Sequence, residues 1–422
     1  MKFIAKLKMT NDFINSVTKK IGRRLDIDIG YYIKNNSYLI AAQGVIFLSG
    51  LASSVVLARL LSKEAYGQYN YFFSIIGILA ISALPGMGAA IMHAVANGRD
   101  WVLVQSTRTR FKWSLIGAAT CILVGTHYCY SGETLLGSCF LLGSLLFPFH
   151  ASLNGFYAFL YGRQRFDLSS RYRSIYWALL TLAIILAVYL TRNLLWVIIA
   201  YLATSSILHI FLMLNTIRIS NLNQREDPTA ITYGKQLTGI RAISIAASFF
   251  DKLIIGIVLS YSGLAAYSIA LMIANLPELF LTSMSQTIFP KLATMDEKVA
   301  YGEVKRRLPW LLVVLVIFCG IGALLCPYVI PWLYSGKYSE SIFYTQLLFI
   351  PVILGAVASV LRRGPLQAQR KTSKLFKLNL FVSLFGIVVM AFCAWKFGII
   401  GLIVAKALAS TFDSAYSWKL AR

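Results

Sequence analysis

The stretch RAISIAASFFDKLIIGIVLSYSGLAAYSIALMIANLPE (residues 241–278) decides how the rest of the chain is read. Its first apolar run, residues 242–260, is long enough to cross a bilayer, yet Asp251 and Lys252 sit at its centre. A charge at mid-membrane costs about 2.5–3.5 kcal/mol on insertion scales, so such residues face a partner or a wet cavity. At helical spacing Arg241, Ser244, Ser248 and Asp251 share one face, with Lys252 beside it. In the next run Ser268, Met272, Asn275, Glu278, Thr282 and Ser285 form a second polar stripe, and Pro277 frees a carbonyl one turn back. Two readings stand: an internal ion pair that locks helices together, or the lining of a transport path.

Composition agrees with a membrane setting. Hydrophobic residues make up 58% of the chain and charged ones 13%, against about 25% charged in a soluble domain. The mean hydropathy is +0.69. A formal charge of +24 would point to nucleic acid in a soluble protein, but here it points to basic loops on one side of a membrane. No nucleic-acid partner is expected. The six cysteines lie in or beside apolar runs, with no CxxC and no His at metal-ligand spacing, so buried thiols are expected and no metal.

About twelve apolar runs follow one another at residues 38–61, 69–96, 112–129, 134–160, 174–190, 194–215, 234–260, 264–289, 308–330, 342–361, 376–395 and 399–418. The predicted fold is therefore an all-α polytopic membrane protein of about 12 transmembrane helices. With the N-terminus cytoplasmic, inside segments hold 33 Lys and Arg, and outside turns hold five: Arg59, Lys63, Arg192, Lys337 and Lys396. This bias predicts that both termini are cytoplasmic. Residues 1–35, with eight Lys or Arg, read as a basic amphipathic segment on the membrane face. They precede the first apolar run without the form of a cleavable signal, and Asp26-Ile27-Asp28 within them reads as local charge balance.

A weak repeat suggests two pseudo-symmetric six-helix bundles. LLSKEAYGQY (60–69) aligns with VLSYSGLAAY (258–267) at an offset of 198, matching Leu61/Leu259, Ser62/Ser260 and Tyr69/Tyr267. Both stretches fall at the outer turn of a half's first hairpin. The expected units are residues 36–216 and 234–422, joined by a cytoplasmic linker at 217–233. Leu84-Pro85-Gly86-Met87-Gly88 interrupts the second run, either as a tolerated kink or as a cavity lining. His93, His150 and His209 are expected to make interhelical hydrogen bonds, and Lys406 and Asp413, seven apart, share a face. There is no P-loop, HExxH or GxSxG, and no outer connector large enough for a polymerase or glycosyltransferase domain.

The chain also resembles the polysaccharide flippases (Wzx-like O-antigen translocases) of the multidrug/oligosaccharidyl-lipid/polysaccharide (MOP) exporter superfamily. The resemblance rests on ARLLSKEAYGQYNYFFSIIGILAISALPGMGAAI (58–91) and on Tyr161-Gly162-Arg163-Gln164-Arg165-Phe166. Further similarities are Asp251-Lys252-Leu253, Tyr267 with Pro277-Glu278, and LQAQRKTSKL (366–375). The chain departs from the family's frequent Leu-Gly after the seventh span by carrying Leu259-Ser260. The resemblance implies a V-shaped pair of bundles that moves lipid-pyrophosphate-linked sugars outward across the inner membrane.

Such a substrate has an anionic head, a polar glycan and an apolar tail, so a wet cleft holding a few cations would ease its passage. Arg241, Lys252, Lys406 and Asn275 are the expected substrate contacts, and Glu278, Asp251 and Asp413 the groups for a coupling H+ or Na+ or for charge balance. Partners expected beside the lipid-linked oligosaccharide and membrane lipids are a polysaccharide polymerase and a chain-length regulator. No cofactor is expected, and the protein is read as a transporter rather than an enzyme. Alternatives are a multidrug antiporter of the same superfamily and a membrane-embedded glycan polymerase or glycosyltransferase.

Overall fold

The computed structural model describes residues 29–278, 297–361 and 372–421, and all regular structure among them is helical. The basic N-terminal segment lies almost wholly outside them, as do Thr282 and Ser285 of the second polar stripe. The helices are α1 (Ile29–Leu60), α2 (Lys63–Leu79), α3 (Met87–Ala96), α4 (Val102–Tyr130), α5 (Thr134–Ser152), α6 (Gly155–Gly162) and α7 (Phe166–Thr191). They continue as α8 (Leu194–Ser220), α9 (Ala230–Ile254), α10 (Tyr261–Ala274), α11 (Glu297–Tyr334), α12 (Glu340–Leu361) and α13 (Thr372–Ala421).

Each expected run coincides with one helix or a broken pair. Among the described residues eight helices are long and apolar enough to cross a membrane, nine when α2 and α3, bent by 47°, count as one span. Gly398, at φ 61° and ψ −147°, divides α13, already counted as one of these, into two helices and so adds one. The remaining two runs fall on α4 and on α10, the rest of whose run lies outside the described residues from position 279. Helix α4 begins ten residues before its apolar run, because its first turns carry Arg108, Arg110 and Lys112.

Local chemistry sets the breaks. Ser62 caps α2 by accepting from the Ala65 N–H at 3.1 Å, and Ser260 caps α10 by accepting from the Gly263 N–H at 3.0 Å. The serine matched by the repeat thus does the same work in both halves. A 3-10 turn at Ala80–Ala83 and a left-handed Leu84 end the first part of the second span before Pro85.

In the first half α1 packs on α7, α4 on α5, and α8 on both α5 and α7; in the second, α12 packs on α10, α11 and α13. Between the halves, α2 runs against α9 and α10, and α3 against α9. The crossing of α2 and α10 is close: a Cβ on Gly67 would lie 1.8 Å from the Tyr261 carbonyl oxygen. Small residues permit such approach where lipid supplies no hydrophobic drive between helices. Outward faces stay apolar, as at Leu145 and Leu190.

Candidate functional site

Asp251 on α9 is buried at 3% exposure, and its partner comes from the far end of the chain. Lys406 on α13 donates from Nζ to Asp251 Oδ2 at 2.7 Å. The Tyr267 hydroxyl on α10 donates to the same oxygen at 2.7 Å and accepts from Lys406 Nζ at 3.2 Å. Asp251 Oδ1 accepts the Lys252 backbone N–H at 2.8 Å. Neighbouring Lys252 therefore serves Asp251 through its backbone, and the ion pair closes across three helices. The low local dielectric strengthens this pair and makes either member alone expensive.

Lys406 has a second face. Its side chain is 31% exposed, and it borders a cavity of about 460 Å³ lined also by Asn275, Glu278, Ser359, Ser410 and Asp413. Four of the seven residues singled out by sequence, Asn275, Glu278, Lys406 and Asp413, thus meet in one space, with Asp251 directly behind Lys406. Arg241 and Lys252 do not line it; Arg241 is exposed and Lys252 half-buried. Among the described residues two carboxylates, Glu278 and Asp413, line this cavity with Lys406, whose ammonium is shared with Asp251.

The end of the molecule that is poor in Lys and Arg is closed between the halves. Arg59 at the end of α1 donates from Nε to the Leu333 carbonyl and from Nη2 to the Trp332 carbonyl, each at 2.6 Å. Lys337 donates back to the Arg59 carbonyl at 2.8 Å, and Lys63 meets Glu340 at 3.3 Å. Beneath them the Ser54 and Tyr334 hydroxyls are 3.1 Å apart, and Tyr261 donates to Glu133 at 3.1 Å. Arg59 thus caps the last carbonyls of α11, and Lys337 the carbonyl of Arg59 at the end of α1.

At the basic end the contacts join the linker to the first half. Arg163, within the Tyr161-to-Phe166 motif, forms a two-pronged ion pair with fully buried Asp100. Asn223 accepts from the Asp100 N–H at 3.2 Å and donates to the Gly98 carbonyl at 2.9 Å. Arg99 meets Asp227 at 2.8 Å; the Thr229 hydroxyl, aided by Arg99, holds that carboxyl below the usual aspartate range. The Pro85 break is also docked here, as Gly86 N–H donates to Thr238 Oγ1 at 3.0 Å. A Cβ on Gly86 would fall 2.4 Å from the Thr238 nitrogen, so the break packs on α9.

The first half's interior is aromatic and imidazole-rich. His150 Nδ1 and the Tyr176 hydroxyl each lie 2.7 Å from Ser205 Oγ, and His209 stacks on Tyr176 with centroids 4.8 Å apart. His150 makes the expected interhelical bond, and His93 is exposed. Buried Arg110 donates to the Ala83 and Ala151 carbonyls at 2.9 and 2.8 Å and to Asn154 at 2.7 Å, tying the breaks of two spans together. Sequence reasoning missed Arg110, Asp100 and the role of Tyr267. For Tyr267 a signal existed in the repeat; Arg110 and Asp100 looked like loop charges.

A sequence profile for the family described as polysaccharide biosynthesis protein matches residues 56–343. No curated protein matches the chain in sequence. Among solved structures it is similar to an inward-facing multidrug resistance MATE family transporter of the MOP superfamily, at 13% identity and TM-score 0.67, over 89% of this chain and 94% of that one. The lipid II flippase MurJ, in an inward closed conformation, is similar at 16% identity and TM-score 0.67, over 90% and 87%. A MOP superfamily transporter from Pyrococcus furiosus, described as having a binding pocket of reverse polarity, is similar at 13% identity and TM-score 0.56, over 93% and 95%.

Proposed function

The chain belongs to the polysaccharide biosynthesis protein family and has the fold of MOP superfamily transporters, and on that premise we propose that it is a flippase for lipid-linked oligosaccharide. The substrate is an undecaprenyl-pyrophosphate-linked repeat unit of O-antigen or another surface polysaccharide, carried across the inner membrane by alternating access. The carrying observation is the 460 Å³ polar cavity bordered by Asn275, Glu278, Lys406 and Asp413. Both termini and the 217–233 linker are assigned to the cytoplasm, and the two six-helix units 36–216 and 234–422 move against each other. The clasp around Arg59 is then the outer gate, closed here.

Within this reading Asn275 and the serines take sugar hydroxyls, and Arg241 and Lys252 meet the diphosphate as it passes. Lys406 links the cavity to Asp251. Glu278 or Asp413 binds the coupling H+ or Na+, since both carboxylates line the cavity that Lys406 borders. A polymerase and a chain-length regulator on the outer face would consume the product.

One observation favours a second reading. Two carboxylates in the cavity would also take an organic cation, the substrate class of a multidrug antiporter. Purified protein in liposomes separates the two. The flippase moves a lipid-linked oligosaccharide to the leaflet where an added lectin captures it, at rates well above protein-free vesicles, and does not extrude ethidium. Ethidium extrusion without lipid movement would replace the first reading by the second.

A further inference from the structure

Helices α1 and α7 lie side by side, and a lateral groove of about 300 Å³ runs between them. Thr181 donates to the Ser49 carbonyl at 3.3 Å further along the pair, so the two helices run in the same direction from the basic end. The groove's start is lined by Tyr38, Ser170 and Arg171, and its continuation by Ala41, Ala42 and Ile175. Among the described residues the only cation of this lining stands at the end near the loop of Arg163 and Arg165, and beyond it Ser174 and Val45 join the small and apolar side chains.

Ser170 supplies the independent observation. It is 4% exposed, lines the groove, and its hydroxyl has no hydrogen-bond partner among the described residues. A buried hydroxyl without a partner is uncommon, because the group forfeits its hydrogen bond to water. Arg171 beside it is exposed at the rim, and Asp167, one turn earlier, is held by Arg165 at 3.3 Å. An anion at the rim would meet Arg171, whose guanidinium fork suits phosphate oxygens and which otherwise faces Asp167 one turn earlier.

We infer that this groove is the loading site for the isoprenoid end of the substrate, with the diphosphate at Arg171 and Ser170 and the chain along Ala41, Ala42 and Ile175. The inference rests on the flippase reading. The volume lies at the lower end of small-ligand pockets, which suits one narrow chain rather than the paired chains of a phospholipid. Loading at the flank keeps the chain in lipid while the glycan enters the space between the halves, so the tail need never cross a polar surface.

The test uses the full chain in nanodiscs with a photoreactive benzophenone side chain at Ala41. Labelling is compared for a polyprenyl diphosphate, the uncharged polyprenol and phosphatidylglycerol, and flipping is measured on the same protein. The expected result is labelling by the diphosphate well above both controls. It falls about tenfold or more in Arg171→Ala, the order expected for a lost charge-assisted contact, and partly returns in Arg171→Lys. Ser170→Ala, which removes the hydroxyl without adding volume, should lower it without altering expression. Equal labelling by all three lipids, labelling unchanged in Arg171→Ala, or a cross-link to residues 1–28 of the same chain would overturn the inference. Flipping that proceeds without diphosphate-dependent labelling sinks the groove and spares the flippase. Diphosphate-dependent labelling with no flipping does the reverse.

Discussion

The two halves repeat a scaffold but not its chemistry. The offset of 198 that carries Ser62 to Ser260 and Tyr69 to Tyr267 sets Asp251 against Ser53 and Lys406 against Leu208. In the second half the three positions form a buried ion pair bridged by a phenol. In the first, Ser53 donates to the Ser49 carbonyl at 2.9 Å, and Tyr69 packs against Phe73 with centroids 4.7 Å apart. Both halves keep the serine cap and the tyrosine, so the fold does not require the charges. At these matched positions only the second half carries an ion pair, and ions buried within spans are costly enough that such a pair needs a use.

The largest effect should come from breaking the ion pair. Asp251→Asn or Lys406→Met each leaves a buried, unbalanced partner, a loss of about 3–5 kcal/mol, visible as a lower unfolding temperature in detergent. The double variant should regain most of the stability. It should not regain transport if the charges act on substrate or coupling ion, and full recovery of both would make the pair a structural lock. Ser53→Ala, at the matching site in the first half, should change stability by about 0.6 kcal/mol and leave transport intact; a loss as large as at Asp251 would erase the contrast between the halves.

Closure at the end poor in Lys and Arg ranks next. Gly67→Leu pushes a side chain into the Tyr261 backbone. Overpacking of about 1–3 kcal/mol should shift spin-label distances across the Arg59 clasp toward an opened state. Arg59→Ala should do the same more weakly, because the side chain is exposed and its two bonds are partly replaced by water. An unchanged distance distribution in both variants would mean that this clasp is not a gate.

The smallest effect concerns the basic end, where Arg99→Ala should raise hydrogen exchange in the 221–229 linker by a small factor. Asp227 is held below its ordinary range chiefly by Thr229, so the folded state binds this proton less readily than the unfolded chain. The clasp is therefore fully present above the ordinary aspartate range and weakens only as pH falls through the lowered value. Loosening of the linker between pH 7 and 6 would contradict this.

Hydropathy made the spans legible because a bilayer fixes how long an apolar run must be, and Pro85 and the capping serines marked breaks that the helices respect. The candidate cavity was partly legible, since Asn275, Glu278, Lys406 and Asp413 are polar residues inside apolar runs. Their assembly was not. Lys406 lies 155 positions from Asp251, and which helix faces meet is settled by rotation and crossing, which no local pattern encodes. Lys252 drew attention by adjacency, yet successive helical residues point about 100° apart, and Lys252 lies off the cavity that Lys406 borders. Arg110 looked like one more inside-loop charge until the helix extended ten residues and carried it into a nest of carbonyls.

The account's central claim is that charged groups in the second half couple an ion to lipid movement, and it is tested most directly by flipping in liposomes under an imposed gradient. Lipid-linked oligosaccharide should move faster when a proton or sodium gradient is applied, and Glu278→Gln should keep basal movement but lose that response. Flipping at one unchanged rate with every gradient collapsed, in the wild type and again in Glu278→Gln, would contradict it and make the protein a facilitator drawn forward by consumption of its product.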